Sequence, residues 1–217
     1  MDKYRTIFKH GVGELEEKKS KFISNSKPVK SREEAERFIN EIRTIHKSAT
    51  HNCFAFRVYE NGVLIEKQSD DGEPNGTAGL PILNYLRGEN LIYLCIVVTR
   101  YYGGTLLGTG GLVRAYGGCA KIGAIASGII FKEPYVLLKI QIPYTLFGKV
   151  EYEILSLGLK ITNTFYTEDV TICLAVILEE SDNLKKYIIQ KTSGDAKIFI
   201  EKEFSGFNYE GELLGYE

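Results

Sequence analysis

The spacing of apolar residues predicts short strands and helices along the N-terminal part of the chain. Behind Ser31-Arg32-Glu33-Glu34 the apolar residues recur with a helical period, and that tetrapeptide has the pattern of a capping box. Asn61-Gly62, between two β-like runs, predicts a hairpin. The predicted elements are early strands within 12–29, a helix behind Ser31, strands over 51–59 and 63–65, a polar loop over 69–81, a short helix over 81–86, a buried strand over 91–99, and a helix through Ala115, Ala120 and Ile125.

The pattern restarts after Lys132-Glu133-Pro134, which indicates a second domain. Its elements follow the order β-α-β-β-α-β, the split arrangement of ferredoxin-like domains, with Ser181 as the cap of its second helix. The sequence therefore predicts an α+β fold of two domains, 1–132 and 134–210, followed by a tail at 211–217. The predicted elements are a strand over 135–142, a helix over 144–157, strands over 159–166 and 170–178, a helix beginning at 181, and a strand over 196–204.

Charge is unevenly distributed along the chain, although its composition is ordinary for a globular protein, with 44% hydrophobic and 25% charged residues. Residues 1–50 hold 12 Lys and Arg against 8 Asp and Glu, whereas residues 168–217 hold 5 against 11. If the protein has an RNA-facing surface, we expect it on the N-terminal side. The simpler alternative is that these charges only solvate the surface.

The cysteines and the N-terminus predict a compartment. Cys53, Cys95, Cys119 and Cys173 lie far apart among apolar or small residues, and no pair has C-x-x-C spacing. We therefore expect buried thiols in a reducing compartment, with no resident metal or other cofactor. The N-terminus lacks the apolar core of a signal peptide, and no apolar run is long enough to span a bilayer. These features predict a cytoplasmic protein without a membrane partner.

The most informative stretch contains five glycines within residues 103–111, which we call the glycine segment. A glycine-rich turn at a helix start leaves backbone N–H groups free to bind an anion or a partner's backbone. The alternative is that the glycines permit close packing while the neighbouring tyrosines fill the core. The candidate partner-binding residues, with arginines for charge and tyrosines for base stacking, are Arg100, Tyr101, Tyr102, Gly103, Gly104, Gly108, Gly110, Gly111 and Arg114.

The polar loop upstream supplies candidate supporting residues, which are His51, Asp70, Asp71 and Glu73. Together they could hold a divalent cation or act as acid and base. Their spacing matches no EF-hand or hydrolase motif, so the favoured interpretation is structural: the aspartates cap the turn and the next helix, or pair with Arg100. No nucleophile has an evident base partner, so we assign no catalytic residue and no metal ligand.

Three motifs, in this order, resemble those of the YigZ/IMPACT family. They are His51-Asn52-Cys53-Phe54-Ala55-Phe56-Arg57, Ser69-Asp70-Asp71-Gly72-Glu73-Pro74 with Gly76-Thr77-Ala78-Gly79, and Val98-Thr99-Arg100-Tyr101-Tyr102-Gly103-Gly104 continuing to Leu112, Arg114, Ala115 and Tyr116. The resemblance covers roughly residues 1–132 and implies a fold similar to domain 2 of ribosomal protein S5. The remainder resembles the accessory domain of bacterial members, which is similar to the last domain of elongation factor G.

The family resemblance implies an association with translation, and it leaves two main functions open. The first is a non-enzymatic regulatory protein that docks RNA, the ribosome or a translation-factor protein through the Arg100–Arg114 surface. The second, by analogy with metabolite kinases, is an enzyme that holds a nucleotide phosphate or another small molecule with the glycine segment and the Asp70–Glu73 loop. A protein–protein adaptor that uses the ferredoxin-like sheet is a third possibility, and the oligomeric state is open.

Overall fold

The computed structural model describes residues 3–209 and 212–216 and divides into two compact units. One unit comprises Tyr4–Phe131, and the other contains the chain from Lys132 onward. Both units combine strands and helices, which confirms the predicted two-domain α+β fold. The boundary predicted near residue 133 falls within a strand, Ile129–Ile142.

The first unit contains one five-stranded sheet and three helices. Its elements are β1 Tyr4–Ile7, β2 Gly11–Glu17, β3 Ser20–Pro28, α1 Arg32–Ile45, β4 His51–Glu60, β5 Val63–Ser69, α2 Gly79–Gly88, β6 Leu94–Tyr101 and α3 Thr109–Ala126. The sheet has the strand order β2-β3-β6-β4-β5, and all its neighbouring strands are antiparallel.

Strand alternation explains why this sheet is covered on both faces. Leu94, Ile96 and Val98 of β6 pack with residues of α2 and α3, whereas Cys95 and Val97 pack with α1. Because helices cover both faces, β6 is a continuous apolar run instead of an alternating one. The sheet therefore has two separate cores, one beneath α1 and one beneath α2 and α3.

Two local predictions in this unit are confirmed in detail. Ser31 is the N-cap of α1, and its Oγ accepts the Glu34 amide at 3.2 Å, while Glu34 Oε2 accepts the amide of Lys30 at 2.7 Å. Asn61 and Gly62 join β4 to β5 with φ angles of 51° and 78°. Positive φ at both residues is the requirement of a type I′ hairpin turn.

The second unit has the predicted β-α-β-β-α-β order. Its elements are β7 Ile129–Ile142, α4 Tyr144–Ser156, β8 Ile161–Tyr166, β9 Val170–Ile177, α5 Leu178–Lys191, β10 Lys197–Tyr209 and β11 Glu212–Tyr216. The sheet order β10-β7-β9-β8 is that of a split βαβ arrangement, and α4 and α5 pack on one of its faces. Residues 212–216 of the expected tail form β11 beside β10, and residues 211 and 217 lie outside the described part.

Two sequence expectations about element ends are corrected by the structure. The strand expected over 91–99 runs instead from Leu94 to Tyr101, so Arg100 and Tyr101 are strand residues. Ser181 does not cap α5, because β9 leads directly into that helix and Ser181 lies within its first turn. Its buried hydroxyl donates to the Leu178 carbonyl at 2.8 Å. Within the part of the chain that the structure describes, no helix combines the length and apolarity needed to cross a bilayer.

The packing of α3 on the sheet depends on glycine at position 123. A Cβ atom there would lie 2.1 Å from Ser24 Oγ and 2.7 Å from Ser26 Oγ on β3. A Cβ atom on Gly117, in the same helix, would meet its nearest neighbour, the Pro81 carbonyl oxygen, at 3.9 Å. The two positions therefore differ in available space and share the same helix.

We expect Gly123→Ala to lower the free energy of unfolding by about 1–3 kcal/mol, because the added methyl group overpacks the interface. Gly117→Ala is the matched control and should raise that free energy by roughly 0.5–1 kcal/mol, through its better helix propensity. Urea-induced unfolding followed by circular dichroism measures both values. Equal effects of the two variants would contradict the packing assignment.

Candidate functional site

Arg100 lies inside the protein, which contradicts its predicted role as a direct contact with a partner. Residue 100 follows Leu94, Ile96 and Val98 on the face of β6 that α3 covers, and Arg100 is only 5% exposed. Its Nη1 donates to Glu73 Oε1 at 2.6 Å, its Nη2 donates to Ser20 Oγ at 3.3 Å, and its guanidinium lies over the Phe22 ring. Arg100 is therefore part of the scaffold beneath the site.

Glu73 is the centre of this buried network. Besides Arg100, its Oε1 accepts the Tyr116 hydroxyl of α3 at 2.8 Å, and His51 Nε2 lies 3.8 Å from the same oxygen. Burial raises the pKa of the Tyr116 hydroxyl, and burial also raises the pKa of the neighbouring Cys53 thiol. Both groups are thus neutral and act as hydrogen-bond donors. The network ties the polar loop to β6 and α3.

Asp70 and Asp71 satisfy backbone and side-chain donors within the fold. Asp70 accepts the amides of Gly76, Ala78 and Gly79 at 2.8–3.0 Å, and so it caps the start of α2. These contacts match the structural interpretation of this loop. Among the described residues, no group of three or more His, Cys, Asp or Glu side chains is arranged to hold a metal ion.

Asp71 has a different set of partners. Its Oδ1 accepts Arg43 Nη2 at 2.7 Å, and its Oδ2 accepts the Asn52 amide at 2.7 Å. The Asp71 carbonyl oxygen lies 2.8 Å from Nδ1 of His51, so that histidine is held against the loop. Asp71 therefore pairs with Arg43 of α1, and Arg100 pairs with Glu73.

The two neighbouring tyrosines point in opposite directions, as consecutive residues at a strand end do. Tyr101 is half-buried, and its hydroxyl lies 2.9 Å from His46 Nδ1. Tyr102 is 45% exposed. Only Tyr102 thus presents its ring for base stacking, and the expectation for Tyr101 is corrected by its contact with His46.

The glycines of the segment serve two purposes. Gly103 lies against the hairpin that joins β2 to β3, because a Cβ atom there would be 2.0 Å from the Lys19 carbonyl oxygen. Gly104 and Gly108 have φ angles of 81° and 73°, which side chains disfavour. Gly110 and Gly111 lie in the first turn of α3, which begins after Gly108. The expectation of close packing holds for Gly103, and the later glycines leave a helix start uncovered.

The start of α3 is the one helix start in the first unit, as far as the structure describes it, without a carboxylate or hydroxyl cap. Ser31 caps α1 with Glu33 and Glu34 in its first turn, and Asp70 caps α2. The N-cap of α3 is Gly108, with no side-chain cap and no acid in the first turn. The amides of Thr109, Gly110 and Gly111 have no acceptor among the described residues, and Arg114 is exposed beside them.

The hairpin tip, Lys18–Lys19, also belongs to this site, although it is not among the residues predicted from the sequence. Both lysines are exposed and have positive φ angles of 46° and 66°, where turn chemistry favours Asn and Gly. The next residue, Ser20, accepts the Gly103 amide at 3.2 Å, so the tip lies beside the glycine segment. The lysines at positions 18, 19 and 21 are the signal in the sequence that could have indicated this part of the site.

We expect Glu73→Gln to lower the free energy of unfolding by about 3–5 kcal/mol, because it leaves the buried Arg100 charge uncompensated. Glu36→Gln is the matched control, since the Glu36–Arg32 pair (2.9 Å) lies on the surface of α1. That change should leave stability within the error of measurement. Urea unfolding of both variants measures the difference, and a Glu73→Gln protein as stable as the parent would contradict the role of the network.

Comparisons with known proteins bear on this geometry. Residues 18–123 match the family described as Impact N-terminal domain, and residues 140–195 match the family described as Domain of unknown function (DUF1949). The first match contains the hairpin tip, the polar loop and the glycine segment. The second lies within the second unit.

Similar proteins extend the match over most of the chain. IMPACT family member YvyE of Bacillus subtilis is 36% identical over 195 residues, which cover 90% of this chain and 89% of that protein. IMPACT family member YigZ of Escherichia coli is 47% identical over 105 residues, 46% of this chain and 50% of that protein. A crystal structure described as that of a hypothetical protein has a TM-score of 0.57 and 30% identity, and covers 93% of this chain and 98% of its own. This chain therefore belongs to the IMPACT family.

Proposed function

We propose that this protein is a non-enzymatic binding protein associated with translation, and that it contacts RNA phosphates around the start of α3. The contact residues form what we call the phosphate-contact surface: the hairpin tip, the amides of Thr109, Gly110 and Gly111, and Arg114. The association with translation rests on family membership. The contact with RNA rests on the arrangement of the groups named here.

The observation that carries the proposal is an uncapped helix start with unpaired cations nearby. Free amides at a helix start favour anions, because N–H groups and the helix dipole both present positive charge there. Lys18, Lys19 and Arg114 have no carboxylate within ion-pair distance among the described residues. Exposed, unpaired cations can neutralise phosphates without first breaking an internal ion pair.

The backbone of the hairpin tip supports the same interpretation. Two consecutive lysines with positive φ are uncommon, and residues held in such conformations concentrate at functional sites. The glycine at position 103 lets the tip approach the glycine segment at backbone distance. Acidic residues are also present, because Glu16 and Glu17 directly precede the tip. The electrostatic potential at this surface therefore depends on both the lysines and the glutamates. Removal of a lysine should make it less positive, and removal of a glutamate should make it more positive.

We expect the triple change Lys18→Ala, Lys19→Ala, Arg114→Ala to weaken the binding of a short fluorescein-labelled RNA. The slope of log Kobs against log salt should fall by about 0.7 for each phosphate that the variant no longer neutralises, or about 2 in total. Glu17→Gln should strengthen binding, because it removes a negative charge beside Lys18. Fluorescence anisotropy across a series of salt concentrations measures both effects.

The matched control changes three exposed cations elsewhere, Lys9→Ala, Arg37→Ala and Lys186→Ala, which alters net charge equally. An equal loss of affinity in this control would show that binding depends on net charge and not on the phosphate-contact surface, and it would contradict the proposal. A thermal-shift titration with ATP and magnesium tests the competing enzyme function. Saturable stabilisation by nucleotide would favour that function, and we expect none.

A further inference from the structure

The exposed ring of Tyr102 is supported from inside by a buried cation. The guanidinium carbon of Arg100 lies 5.4 Å from the centroid of the Tyr102 ring and over its face. Arg100 is 5% exposed, whereas Tyr102 is 45% exposed, so the solvent-facing side of the ring is the one turned away from Arg100. Glu73 neutralises Arg100, and the contact therefore fixes the ring without adding net charge to the surface.

The backbone on each side of this ring is also held. The Tyr102 amide donates to Thr50 Oγ1 at 3.1 Å, and the Gly103 amide donates to Ser20 Oγ at 3.2 Å. The Arg100 carbonyl accepts the Thr50 amide at 2.9 Å. A side chain fixed before binding loses little conformational entropy when a ligand covers it.

Among the described residues, Phe131 of β7 is also exposed with a guanidinium over its ring, since Arg5 lies 5.1 Å from the ring centroid. Phe131 follows α3 in the sequence, whereas Tyr102 directly precedes the glycine segment. Tyr144 and Tyr166 stack on each other, with ring centroids 6.4 Å apart. Tyr152 is 71% exposed, and no other aromatic ring or cation contacts it among the described residues. Tyr102 thus combines one open ring face, a fixed inner face, and a position directly before the glycine segment.

We propose that Tyr102 is a stacking platform for an unpaired nucleobase, and that the RNA bound at the phosphate-contact surface is single-stranded. This inference rests on the proposed function and specifies the class of RNA. An aromatic ring stacks on any base, since every base has a π-face, but the faces of bases within a duplex are already covered by their neighbours. The base on Tyr102 and the phosphates at Lys18, Lys19 and the start of α3 belong to one strand.

The chain has no tryptophan, so the Tyr102→Trp variant carries a single, site-specific fluorophore. Titration with single-stranded oligouridine should quench its emission, because a stacked base contacts the indole directly. Titration with an RNA duplex of equal phosphate number should leave the emission unchanged. Tyr152→Trp is the matched control on an exposed helix position of the second unit, and it should show no quenching with either RNA.

Affinity supplies a second measurement. Tyr102→Ala should weaken the binding of the single strand by about 5- to 150-fold, the range for removal of one stacked base, and should leave the salt slope unchanged. Tyr102→Phe keeps the ring and should bind like the parent. Tyr152→Ala should also bind like the parent.

The outcomes separate this inference from the proposed function. Salt-dependent binding of single strands that is weakened by the triple cation variant but not by Tyr102→Ala would overturn the stacking inference and leave the proposed function standing. Equal affinity of the parent for single strand and duplex would overturn it as well. Absence of any RNA binding by the parent protein would overturn both.

Discussion

The site depends on a single buried ion pair, Arg100 with Glu73. The two residues are 27 positions apart in sequence, and their side chains are almost completely withdrawn from water. A buried charge without its partner is strongly destabilising, so each residue requires the other in place. Glu73 also accepts Tyr116 of α3, and Arg100 also contacts Ser20 of β3. One pair therefore fixes the relative positions of the polar loop, the end of β6, the third helix and the hairpin.

The buried network also positions neighbouring groups, which are the hairpin tip, the Gly103 amide and the Tyr102 ring. Ser20 connects Arg100 to the Gly103 amide, and the same serine follows directly after the hairpin tip. The guanidinium then supports Tyr102 from below. Hydrogen bonds to Glu73 and Ser20 hold two of the guanidinium nitrogens, and rigidity in supporting residues is what holds exposed side chains in position. Arg100 is buried and has a structural role, whereas Lys18, Lys19 and Arg114 are exposed cations.

The sequence predicted elements well where local chemistry determines them. The capping box at Ser31 and the Asn61-Gly62 turn each satisfy their own backbone, so no distant residue is needed to identify them. The orientation of Arg100 could not be predicted in this way, because it depends on where β6 begins and on a carboxylate far along the chain. Once the strand is known to run from Leu94 to Tyr101, alternation alone separates Arg100 and Tyr102 from Tyr101.

The conformation of the hairpin tip could not be predicted from its local sequence. Nothing in the Lys18–Lys19 dipeptide predicts positive φ at both positions, since lysine lacks the features that favour glycine or asparagine there. The start of α3 also departs from the local rule for helix starts, because it has no side-chain cap. The other two helix starts of the first unit are capped by a serine with glutamates or by Asp70, whereas α3 starts with Gly108, Thr109, Gly110 and Gly111 and has no side-chain cap. Among the described residues, the start of α3 has no capping side chain and the two lysines of the hairpin tip have no ion-pair partner, so the positive charge of both remains open to an external anion.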